Sequence, residues 1–196
     1  MLREFHTWLV EKLEAVSSDT ERFLLFVAWL NTVLERRGCR LIVTGGFAVE
    51  IYTGAAYRTL DIDLVVEGVG CAEILERFLR TVADRGLRIY IPRLRSLMSK
   101  GIDIVGAVYA RKKSPVLVEV LIDGRKLRLW LEPPEELVVR YLAGWKFWNS
   151  SEDRDKVFAL LNALWNKMDR RYLEERAREE NVYDKLVEAM KVLNLG

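Results

Sequence analysis

The chain has no glutamine, a single histidine, two cysteines and no long apolar run. No stretch approaches the roughly 20 apolar residues of a membrane-spanning helix, so no membrane role is expected. The first residues lack the basic, apolar and small segments of a secretory signal, which sets the expectation of a cytoplasmic protein. Cys39 and Cys71 stand apart without metal-ligand spacing. In a reducing cytosol they are expected as two isolated thiols, buried as small hydrophobes. His6 lies near the exposed start of a helix and is not expected to be catalytic. Lys and Arg number 31 against 29 Asp and Glu, so no global field draws nucleic acid, and any such site must be a local patch. Missing glutamine beside abundant charge of both signs leans toward a thermophile. No repeat, low-complexity tract or linker interrupts the chain.

What is present suffices for a real core: 51% of 196 residues are hydrophobic, which fits one domain or a domain with a helical extension. The chain is organised around residues 41–67, LIVTGGFAVEIYTGAAYRTLDIDLVVE. Leu41, Ile42 and Val43 are a short apolar run suited to a buried strand. Gly45 and Gly46 permit backbone angles closed to other residues and leave no Cβ to block a ligand. Phe47 to Thr53 then makes about two helical turns, with Gly54 placed to end them. A glycine turn feeding a helix N-terminus suits phosphate, because free N–H groups and the helix dipole both favour an anion. In the second strand, period two puts Asp61 and Asp63 on one face and Ile62 and Leu64 on the other. Two adjacent carboxylates repel unless a cation sits between them. Magnesium fits, since it takes carboxylate and phosphate oxygens together.

These residues carry a resemblance. GGFAVEIYTGAAYRTLDIDLVV resembles the signature of the nucleotidyltransferase superfamily that includes DNA polymerase beta: Gly-Gly or Gly-Ser, a spacer, then Asp-hydrophobic-Asp. Arg58-Thr59 before the carboxylates resembles the small stand-alone prokaryotic members, among them the abortive-infection type toxins. The spacer from Phe47 to Leu60 is at the long end of the range, read as one extra loop residue near Ala55. A second, less specific similarity lies in EPPEELVVRYLAGWKFWNSSEDRDKVFALL. There a Pro-Glu-Glu segment leads into a helix bearing Lys146, then an acidic turn at Glu152, Asp153, Arg154 and Asp155. Together the two matches cover residues 41–161.

Elsewhere the patterning predicts helices over residues 2–16 and from a Ser18/Glu21 capping box to Arg37. A helix follows over Cys71–Asp84, then a short strand over Leu87–Ile91 stopped by Pro92. Arg93, Arg95 and Lys100 make a basic loop, read as a solvated face rather than a triphosphate or acceptor contact. Strands are predicted over Ile102–Tyr109 and Val116–Ile122, the latter turning at Asp123-Gly124 into Leu127, Leu129 and Leu131. From Pro134 the chain is helical. The expected fold class is α+β, a mixed sheet flanked by helices, with N-terminal helices and a helical C-terminal part. The expected boundary divides a core over 1–132 from helices over 133–196.

The resemblance implies a magnesium-dependent enzyme moving a nucleoside monophosphate from an NTP, ATP among them, to an acceptor such as RNA, protein or a small molecule. It implies two metal ions about 4 Å apart. Asp61 and Asp63 would hold both. Gly45, Gly46, Arg58, Thr59 and Lys146 are the expected nucleotide contacts; Tyr141, Trp145 and Trp148 flank Lys146 as candidate base-stacking partners. The superfamily draws a third carboxylate from a neighbouring strand. Glu119, a charge in the middle of an apolar strand, is expected there ahead of Asp103. The alternatives are an inactive binding module that regulates a partner chain, and a toxin paired with an antitoxin.

Overall fold

The computed structural model describes residues 1–195 and divides into two compact units. The first comprises Met1–Phe47, Thr59–Ala110 and Pro115–Leu131, and the second Ala48–Arg58, Arg111–Ser114 and Glu132–Gly196. The protein is α+β, with a mixed seven-stranded sheet in the first unit.

That unit opens with α1 (residues 2–15), which carries a π-helical stretch at Phe5–Leu9, and α2 (Asp19–Glu35). Ser18 caps α2 by accepting from the Glu21 N–H, as its capping-box pattern requires. Next come β1 (Arg40–Thr44), α3 (Gly45–Tyr52), which crosses into the second unit, and β2 (Asp61–Glu67). They are followed by α4 (Cys71–Val82), β3 (Ala83–Arg85), β4 (Ile89–Pro92), β5 (Gly101–Gly106), β6 (Val116–Ile122) and β7 (Arg125–Leu131).

The strand order is β3-β4-β5-β2-β1-β7-β6. β2 runs antiparallel to β1 and parallel to β5, and β1 runs parallel to β7. One sheet face is lined by Leu41, Val43, Ile62, Leu64 and Val66, all fully buried. The helices that cover it meet through rings: Phe5 of α1 packs against Phe26 and Trp29 of α2 and Phe78 of α4, at centroid distances of 5.7–6.5 Å. β1 and β7 pair only at Ile42–Trp130 and Val43–Leu131. Where they part, buried Asn31 takes the place of the missing backbone partner, accepting from the Leu41 N–H and donating to the Arg128 carbonyl, each at 2.9 Å.

Cys39 and Cys71 correct the expectation of isolated thiols: they form a disulfide, Cα to Cα 5.6 Å, across 32 residues. The cause lies in the strand register. Arg40 pairs with Glu67, so Cys39 lies beside the turn that leaves β2. Gly68, at φ +115°, brings that turn so close that a Cβ would meet the Gly38 carbonyl at 2.9 Å. Cys71 is thereby delivered to Cys39.

The second unit holds α5 (Pro134–Trp148), α6 (Ser151–Leu164), α7 (Arg170–Glu179) and α8 (Tyr183–Val192). Segment 111–114 belongs here because buried acids claim its charges. Arg111 meets Glu132 at 3.0 Å and Lys113 meets Glu135 at 2.9 Å. Glu136 accepts from the Lys113 N–H and from the Tyr172 hydroxyl. A buried carboxylate needs such partners. Among the described residues no helix is long and apolar enough to cross a membrane.

Candidate active site

β2 positions the two central carboxylates. Its alternation buries Ile62 and Leu64 and leaves Asp61 exposed and Asp63 half-buried on the opposite face. β1 delivers the glycine turn beside them, with Thr44 paired to Asp63. Gly45 starts α3 at φ +69°, in the left-handed region, and a Cβ there would fall on the Asp63 carboxylate. A Cβ on Gly46 would meet Thr59 Oγ1 at 2.8 Å. Thr59 in turn donates to Asp61 Oδ1 at 2.6 Å. The two glycines therefore admit two side chains of the carboxylate segment, Asp63 over the first and Thr59 over the second.

Lys100 supports this arrangement from behind. It is 4% exposed and donates to the Thr59 carbonyl at 2.6 Å. Its ammonium lies 5.6 Å from the Phe47 ring centroid and 5.9 Å from that of Phe23. The sequence reading placed Lys100 on a solvated loop; its burial corrects that. The available signal was the glycine directly after it, which starts β5 beside Asp61.

The structure places the two candidates for a third carboxylate on different strands. β5 is the parallel neighbour of β2, and Asp103 is the register partner of Asp63. Partners in register share a face, so Asp61, Asp63 and Asp103 point to the same side. Glu119 does not join them. β6 is three places from β2 at the end of the sheet, about 14 Å away by strand spacing alone. Glu119 pairs instead across to β7, with Lys126 at 3.0 Å and Arg128 at 4.0 Å. Its charge is explained by those cations, and Glu119, expected beside Asp61 and Asp63, lies away from them, while Asp103 shares their face.

The remaining nucleotide candidates lie in the helical unit. Arg58 is exposed in the loop after α3. Lys146 is engaged there, donating to the Asn181 carbonyl at 2.6 Å and to Asp184 at 2.7 Å, and it holds the Asp184 carboxyl below its ordinary range. Tyr141 and Trp145 are buried, while Trp148 is exposed. Sequence reasoning passed over Lys156, which is nearly buried against the Tyr57 and Tyr141 rings at 5.6 and 4.7 Å. It contacts Glu152 at 2.8 Å and Asp153 at 3.3 Å. Burial, together with the hydroxyl's bond to Glu152, raises the Tyr57 pKa to about 12. The i, i+4 spacing of Glu152 and Lys156 was the readable signal.

Two carboxylates on one strand face could hold a divalent cation. Among the described residues no three His, Cys, Asp or Glu side chains are gathered closely enough to cage a metal ion. The carboxylates of Asp61 and Asp63 nevertheless fit magnesium, which binds through one or two carboxylates and completes its shell with water and substrate phosphate.

This fold is the nucleotidyltransferase fold, a conclusion supported by solved structures. The chain is similar to an antigenic nucleotidyltransferase-like protein from Paracoccidioides brasiliensis, at 17% identity over 85% of this chain and 90% of that one, with a TM-score of 0.52. It is similar also to ANT(2")-Ia, solved in complex with adenylyl-2"-tobramycin, at 15% identity over 81% of this chain and 95% of that one, with a TM-score of 0.50. No family model and no curated protein matches the sequence.

Proposed function

We propose that the protein is a magnesium-dependent nucleotidyltransferase that moves a nucleoside monophosphate from an NTP to an acceptor nucleophile. The observation that carries this reading is the shared face of Asp61, Asp63 and Asp103 beside the Gly45-Gly46 turn. Asp61 and Asp63 would hold the cations, and Asp103 would supply the third carboxylate on the side of β5. Bound magnesium would neutralise the triphosphate and its pyrophosphate leaving group. Thr59 keeps Asp61 in place through its hydroxyl. Lys100 holds the Thr59 backbone, so the carboxylate segment keeps its height over the turn. The Cβ positions of Gly45 and Gly46 are taken by Asp63 and Thr59, so the phosphate would be met by free backbone N–H groups at the start of α3. This proposal rests on the sheet unit; Arg58 and Lys146 carry none of it.

The test is incubation with each labelled NTP, magnesium and total cellular RNA, with a no-RNA arm for self-modification. Label is expected in RNA or in the protein itself, and it should vanish in D61N/D63N. No label in any arm, with every NTP returned intact, would argue for a binding module on the same fold.

A further inference from the structure

The outer edge of β6 is unprotected. Among the described residues β6 ends the sheet and pairs only with β7, in unbroken register over all seven residues. Every one of those residues is exposed or half-exposed, with Leu121 at 74% and Leu117 at 41%. Among the described residues, no backbone hydrogen bond outside the β6–β7 pairing involves residues 116–122. A row of N–H and C=O groups therefore lies open beside apolar side chains. Monomeric proteins blunt such an edge with proline, a bulge, brevity or several charges. β6, VLVEVLI, has no proline, no bulge and one charge.

The strand also reads nearly the same in both directions about Glu119. Val118 mirrors Val120, Leu117 mirrors Leu121, and Val116 mirrors Ile122. Two copies laid antiparallel about a two-fold axis through Glu119 therefore match residue for residue. Leu117 faces Leu121 of the partner subunit on one side of the sheet, beside Glu119. The valines and Ile122 form the matching row on the other side. Sliding the register by two residues moves the axis to Val118 or Val120 and sets Glu119 against a leucine; sliding by one turns every side chain to the wrong face. The two axial glutamates would repel if bare. Each already has Lys126 at 3.0 Å on its own β7, so the axis carries neutralised pairs.

The geometry points to a second copy of this chain as the occupant of this edge: an isologous dimer in which β6 pairs with β6 and the two sheets become one. This inference is independent of the nucleotidyl-transfer reading. The test is sedimentation equilibrium of the full chain over a concentration series. A mass rising to twice 22.8 kDa is expected. L117K/L121K, placed on exposed side chains, should stay at 22.8 kDa with an unchanged far-ultraviolet spectrum. A wild type that remains monomeric at the highest concentration overturns the proposal. So does a folded L117K/L121K that still dimerises. Should that variant unfold, E119C decides: the axis sets its two Cα atoms about 4.5–5.5 Å apart, within disulfide reach. With added oxidant it should link across subunits, whereas V116C, far from its own copy, should not. An unlinked E119C, or equal linking of both, rejects this pairing.

Discussion

Gly45 has no side chain because the Asp63 carboxylate occupies the place where a Cβ would stand. The turn and the carboxylate strand are thus one packed object, and the glycine serves the fold before it serves any ligand. Gly45→Ala forces a side chain into a left-handed backbone, at φ +69°, and into that carboxylate. The expected cost is about 1–3 kcal/mol from the backbone alone, with Asp63 displaced as well. Gly46→Ala meets the Thr59 side chain but carries no left-handed backbone, and should cost less. Thermal melting of both variants checks the order; a Gly45→Ala protein as stable as wild type would contradict the packing.

Magnesium and an NTP together should raise the melting temperature more than either alone, because a ligand bound only by the folded state stabilises it. At a hundred times the dissociation constant the gain is about 2.7 kcal/mol. D61N/D63N should lose the joint gain and keep its fold. Asp103→Asn should weaken it, and Glu119→Gln should leave it intact, since Glu119 stands three strands away. A Glu119→Gln protein that loses the gain while Asp103→Asn keeps it would reverse the choice of strand.

Reduction of the Cys39–Cys71 disulfide should destabilise the sheet unit. Opening a 32-residue loop returns chain entropy to the unfolded state worth about 3–4 kcal/mol. Denaturant unfolding with and without a reductant measures it. Equal midpoints, with thiol counts proving reduction, would show that the bridge contributes nothing.

The local structure around the two carboxylates was legible; its neighbourhood was not. Strand, glycine pair, short helix and Asp-x-Asp could be read because each rests on local rules: apolar run, freed backbone, period two. The hairpin turn at Asp123-Gly124 was read for the same reason, and both residues have the positive φ such a turn needs, 47° and 72°. Alternation tells which face a residue takes but not which strands adjoin. Register carried through β1 and β7 sets Glu119 on the same face as Asp63, yet the sheet order leaves it remote. The disulfide was hidden for the same reason, since it follows from the pairing of β1 with β2. Residues 83–85 read as the end of a helix, but they pair antiparallel with β4. Glu135 and Glu136 stand in the first turn of α5. Their burial against Lys113, the Asp169 N–H and Tyr172 depends on segments distant in sequence.

Lys146→Ala separates a structural lysine from a phosphate ligand. The side chain ties α5 to the start of α8 through Asp184 and the Asn181 carbonyl. Asp184 is largely exposed, so the ion pair is worth about 0.2–1 kcal/mol. Its folded pKa is depressed by the Lys146 hydrogen bond. Its contribution is therefore present above the unfolded value, about 3.9, and is lost as the pH falls through the lower folded value. Lys146→Ala should be less stable than wild type at pH 7, and the gap should narrow once the pH drops below that range. The joint magnesium–NTP gain should survive the substitution. If stability is unchanged at pH 7 while the gain disappears, the lysine leaves Asp184 when nucleotide binds, and its role as a phosphate contact is restored.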